Sequence, residues 1–159
     1  MNKFIQLKDN LGNLLFPKIK RDIMTIHNTS NQVITTNVFT EMQFNNIFCQ
    51  TGNKLTKVGN AIRIGAGVSK VYINAQAWTD DLGLGYVWGI IKKNGSTMHN
   101  CICRVNSQYK PIAMTNKLIP VIEGDLITVA VKFDIANQFN QVSGAGYANS
   151  NHLTVEVVE

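Results

Sequence analysis

Apolar and polar residues alternate with a period of two along much of this chain. Between Val68 and Trp78, Val71, Ile73, Ala75 and Ala77 share one face, while Tyr72, Asn74, Gln76 and Trp78 share the other. That is the pattern of a half-buried strand. Ile127, Val129, Val131 and Phe133 alternate in the same way with Leu126, Thr128, Ala130 and Lys132, and the tail from His152 to Val158 repeats the theme. Tyr86 to Lys93 runs into Asn94-Gly95, the pair that supplies the two positive-φ residues of a type I′ hairpin turn. Ser96 to Val105 is therefore predicted to return as the partner strand, with His99, Cys101 and Cys103 on one face. Turns at Gly65-Ala66-Gly67 and Glu123-Gly124-Asp125 separate further strands, and no stretch carries the 3.6-residue period of an amphipathic helix. The pattern predicts an all-β sandwich.

The opening residues are organised differently. Lys3 to Lys8 and Leu14 to Ile19 read as two short strands around an Asp9–Asn13 turn, a hairpin too small to be stable alone in water. Its apolar side chains Phe4, Leu7, Leu15, Phe16 and Pro17 need a surface, so residues 1–22 are read as a docking arm. Residues 23–41, rich in Thr and Asn, are read as a linker with short extended pieces. Residues 42–159 form the sandwich, with an edge strand expected around Ile47 and Cys49.

Composition changes this picture only slightly. The 159 residues suffice for one domain with a sizeable core. The net charge of +5 suggests nucleic acid until it is located: Lys3, Lys8, Lys18, Lys20 and Arg21 against Asp9 and Asp22 concentrate it in the arm. No interleaving of Arg with aromatic residues accompanies it, which argues against a nucleic-acid binder. Three cysteines, two of them in Cys101-Ile102-Cys103, make neither a disulfide framework nor a zinc knuckle. No secretory leader is expected, because Phe4-Ile5 is followed at once by Gln6 and Lys8, and no apolar run is long enough for a membrane span.

Several of these segments together resemble a jelly-roll sandwich of the C1q/TNF type. They are Gly67-Val68 leading into Val71-Tyr72-Ile73-Asn74-Ala75, then Ile91-Lys92-Lys93-Asn94-Gly95, Val121 to Ile127, and the closing Leu153-Thr154-Val155-Glu156. The resemblance implies a homotrimer with one sheet of each protomer packed about a threefold axis. The arm, with Phe4 to Asp9, Gly12-Asn13 and Leu15-Phe16-Pro17-Lys18, is similar to the opening of bacteriophage tail-fibre, head-fibre and minor structural proteins. Phe16 stands where Tyr is frequent there, and the long shaft of those fibres is absent. The resemblance implies a virion protein, made in the host cytoplasm, whose arm attaches to capsid, portal region or tail and whose head meets the host surface. A decoration or cement protein with no receptor role is the alternative.

Enzyme chemistry is not expected. The chain has no Gly-x-Ser-x-Gly elbow, no His-Glu-x-x-His and no phosphate-cradling loop, and His27, His99 and His152 lie in unrelated contexts. No cofactor or metal is implied. Asp80-Asp81 is a close carboxylate pair of the kind a calcium loop uses, but turns favour Asp for hydrogen-bonding reasons alone. The candidate surface contacts are Trp78, Asp80, Asp81, Tyr86 and Tyr147, where rings beside polar side chains suit a shallow saccharide site.

Overall fold

The computed structural model describes residues 21–80, 85–105, 110–134, 141–142 and 151–158, with positions 78–80, 103–105, 110–115 and 141–142 described by backbone alone. Residues 1–20 of the arm therefore lie outside the described residues. Thirteen strands and no helix are described: β1 (Ile23–His27), β2 (Gln32–Val33), β3 (Thr40–Glu41), β4 (Asn46–Thr51), β5 (Leu55–Val58), β6 (Ala61–Ile64), β7 (Lys70–Asp80), β8 (Gly85–Lys93), β9 (Ser96–Val105), β10 (Lys110–Pro120), β11 (Leu126–Phe133), β12 (Gln141–Val142) and β13 (His152–Val157).

They form two antiparallel sheets that face each other as a jelly roll. In the seven-stranded sheet β7 is central. It pairs with β10 along one edge and with β13 and then β12 along the other, and the order continues through β13 to β1 and the edge strand β4. In the six-stranded sheet β11 lies between β8 on one side and β6 with β3 on the other, with β9 and β5 outermost. The alternation in the sequence decides which face is buried. Val71, Ile73, Ala75 and Ala77 of β7 meet Ile127, Val129, Val131 and Phe133 of β11 in a core that also takes Leu153 and Val155.

One segment departs from the sequence pattern. Residues 23–41, read as a linker, are threaded through both sheets: β1 lies between β13 and β4, β2 pairs with β12, and β3 pairs with β11. Met24, Ile26 and Ile34 are fully buried there. The polarity that suggested a linker is satisfied internally. The buried Gln32 side chain donates to Glu41 O (2.7 Å) and accepts from Gln43 N (2.8 Å), acting in place of a ladder bond.

The Asn94-Gly95 turn forms as expected, both residues having positive φ. It is tied to the next connection by Asp125, whose buried carboxylate accepts from Asn94 Nδ2 (2.6 Å) and Ile122 N (3.0 Å), with Lys93 Nζ 3.6 Å away. Burial on its own would raise the Asp125 pKa. The Ile122 N–H, the Asn94 amide and the Lys93 ammonium outweigh it and hold the carboxyl below its ordinary value. A depressed carboxylate contributes stability above the ordinary carboxylate range and loses it as pH falls through the folded-state value. Asp125→Asn is expected to be less stable than wild type at neutral pH and to lose less stability on acidification, as read from urea midpoints across a pH series.

Candidate functional site

Strand direction gives the sandwich two distinct ends. Ile23 of β1 lies opposite Glu156 of β13, and Glu156 lies opposite Tyr72 near the start of β7, so the arm joins the body at that proximal end. The Asn94-Gly95 turn and the Asp125 connection are there too, since Asn94 N donates to Leu126 O and Val121 N to Ser69 O. The end of β7 and the start of β8 are distal, and eleven residues of β7 separate the two ends, roughly 33 Å at the usual rise per residue.

Of the candidate surface contacts, Trp78 and Asp80 sit on the last three residues of β7, where Trp78 pairs in register with Pro111 and Asp80 with Gln141. Tyr86 opens β8 at the same distal end and is 46% exposed. Its backbone is clamped to Asp134, with Tyr86 N donating to Asp134 Oδ1 (2.6 Å) and Asp134 N donating to Tyr86 O (3.2 Å). Asp81 and Tyr147 lie outside the described residues, as do the docking residues Phe4, Leu7, Leu15, Phe16 and Pro17. The structure therefore brings Trp78, Asp80 and Tyr86 to one end.

Trp88 is settled differently. It pairs across strands with Lys132 on the outer face of the six-stranded sheet, and the Lys132 ammonium lies 4.4 Å from its ring centroid and 5.2 Å from that of Phe39. A cation held over the ring in this way occupies a face a sugar would need. Cys101 packs against the core and its thiol points at Gly89 O, and among the described residues no group of His, Cys, Asp and Glu could hold a metal ion. Also among the described residues, no helix is long and apolar enough to cross a membrane.

A second surface was not singled out by the sequence. Among the described side chains, the outer face of the seven-stranded sheet carries three cross-strand rows: Asn46, His27, His152 and Gln76; then Cys49, Thr25, Thr154 and Asn74; then Thr51, Ile23, Glu156, Tyr72 and Leu118. The first two rows are uncharged. Thr25 and Thr154 share a hydroxyl hydrogen bond (2.9 Å), His152 Nε2 lies 2.8 Å from Asn74 Oδ1, and Asn74 Nδ2 donates to Asn116 Oδ1. In the third row Glu156 accepts from Arg21.

Apolar side chains stand around these rows. A bulge between β1 and β4 inserts Phe48, 57% exposed, whose ring meets His27 edge-on at 5.6 Å. Phe48 walls a depression with Thr25, Cys49, His152 and Thr154. A second depression, nearer the proximal end, is lined by Arg21, Tyr72, Leu118, Glu156 and Val158, with Leu118 and Val158 each about half exposed. Tyr72 could have been found from sequence, since it interrupts the polar face of β7. Phe48 could not, because its direction depends on the bulge.

No family model matches the chain and no curated protein matches it in sequence. Solved structures do match. Murine APRIL, a TNF-family protein, superposes with a TM-score of 0.65 at 17% identity over 87% of this chain and all of the other. The vertex protein P5 of phage PRD1 superposes with a TM-score of 0.60 at 17% identity over 87% of this chain and 97% of the other. At this identity the likeness establishes the fold: an all-β jelly roll of the TNF type.

Proposed function

We propose that this chain is a non-enzymatic bacteriophage virion protein that acts as a homotrimeric short fibre or knob. The arm docks on the particle, and the distal end of the head, with Trp78, Asp80 and Tyr86 from the described residues, contacts the host cell surface. The layout of the two ends carries the reading: the arm joins at the proximal end and the exposed Tyr86 stands at the distal end. A protein that bridges a particle and a cell needs its attachment points on opposite ends. The likeness to a phage vertex protein and the phage-like opening of the arm support the virion setting.

The outer face of the seven-stranded sheet is the surface through which the three copies meet. Its exposed Phe48, Tyr72, Leu118 and Val158 and its mostly uncharged rows suit burial against another copy. Three weak distal sites on one rigid head then bind by avidity, because engagement of one raises the effective concentration of the others.

Binding of the purified full chain to cells of the phage's host tests this. Tyr86→Ala and Trp78→Ala are each expected to lower cell binding about tenfold or more with the assembled mass unchanged, as loss of an aromatic contact repeated three times predicts. No binding by the wild-type protein to any susceptible host would contradict the receptor role and favour a decoration protein.

A further inference from the structure

Lys132 is the last outward-facing residue of β11, toward the distal end, and its ammonium is held between two rings, 4.4 Å from the centroid of Trp88 and 5.2 Å from that of Phe39. Among the described residues the ion pairs are Arg21–Glu156 and Lys93–Asp125, and neither takes up Lys132. An ammonium carries three donors, and ring faces attract its charge without supplying the oxygen it bonds most strongly. The same ring leaves a second donor unmet. Trp88 Nε1 is enclosed and has no hydrogen-bond partner, a state that costs free energy until an acceptor reaches it.

The surroundings suit a sugar better than a bare ion. Ile102 of β9 continues the row beyond Trp88, and Tyr86 stands one row nearer the distal end, clamped to Asp134. Both are exposed. Lys132 covers one face of Trp88, so a pyranose stacks instead on the ring of Tyr86. Asp134 uses Oδ1 to accept from Tyr86 N, which leaves Oδ2 as an acceptor for hydroxyls. Asp134 on one side and Glu41, opposite Ala130, on the other also limit how much negative charge the site tolerates. A single carboxylate fits that balance better than a phosphate.

We infer that Lys132, Trp88 and Tyr86 form a site for an acidic sugar, whose carboxylate is held by Lys132 and whose ring lies along Tyr86 and Ile102. The inference rests on the reading of the distal end as the host contact and names the glycan class it takes, a surface polymer that bears uronic-acid residues. The two rings already fix the Lys132 stem, so little side-chain freedom is lost when the anion arrives. Trp88 Nε1 donates to the second carboxylate oxygen once the side chains over it part.

Isothermal titration of the full chain with trigalacturonate and with its methyl ester tests the site. Wild type is expected to bind the acid at least about tenfold more tightly than the ester, by a margin that shrinks as salt is raised. K132M keeps an apolar stem between the rings without the charge and is expected to bind both probes alike. K132R restores the charge and is expected to prefer the acid again. Equal affinity of wild type for the two probes, binding of neither, or a preference that survives in K132M overturns the site. Tighter binding of a glycerol-phosphate oligomer than of trigalacturonate overturns the choice of carboxylate. Host-cell binding separates this site from the reading it rests on. Wild type and K132M that bind cells equally well would remove the site and leave the distal contact standing, whereas wild type that binds no susceptible host would remove the distal contact itself.

Discussion

Gly52→Ala is expected to destabilise the fold by roughly 3–5 kcal/mol, combining a left-handed backbone forced on a non-glycine residue with the loss of two hydrogen bonds to a carboxylate. Gly52 has φ +71°, and a Cβ built on it would fall within the Asp22 carboxylate. That carboxylate accepts from Asn53 N (2.6 Å) and Lys54 N (3.1 Å), which closes the turn after β4 against the start of β1. Asp22 cannot move aside without releasing both donors. Gly59→Ala is the control: its φ is +57°, but nothing lies within 4 Å of the added atom, so only the backbone penalty of about 1–2 kcal/mol applies. Urea unfolding separates the two. Equal losses for both variants would show that the Asp22 turn does not brace the sheet.

A carboxylate introduced into the outer face of the seven-stranded sheet is expected to abolish assembly without unfolding the protomer. Tyr72 and Leu118 face each other across β7 and β10, exposed in the single protomer. Tyr72→Asp/Leu118→Asp places six carboxylates near the axis of the proposed trimer. Burying unpaired like charges is expected to weaken association by at least about 100-fold. Ile102→Asp, on β9 of the other sheet and 53% exposed, adds a charge of the same kind to a face that the proposed assembly leaves open. It is expected to leave the mass unchanged. Dissociation by Ile102→Asp, with none from the double variant, would assign the contact to the other sheet.

The strands that build the core were legible because each presents one apolar face: positions 70–77 of β7 follow the alternation, and β11 does so apart from the buried Ala130. β1 was not legible. It is five residues long, and its flanks carry Asn28 and Gln32, whose side chains bond to backbone: Asn28 Oδ1 accepts from Ser30 N, and Gln32 bonds Glu41 of β3 and Gln43 just after it. Buried amides that satisfy the backbone locally look like loop residues in a sequence.

At the distal end, Tyr86 follows from the alternation of the strand it begins, and it is exposed as the second residue of β8. The covering of Trp88 by Lys132 follows from the register between β8 and β11, which the hydrophobic pattern alone does not set. The rows on the outer face of the seven-stranded sheet depend on β1 and on the bulge at Phe48, so their partners could not be assembled before the fold was known.

The contact between copies is tested most directly by sedimentation equilibrium of the full chain at neutral pH and micromolar concentration. A single species of three times 17.7 kDa is predicted. A single species of 17.7 kDa, with Phe48, Tyr72, Leu118 and Val158 left open to water, would contradict it.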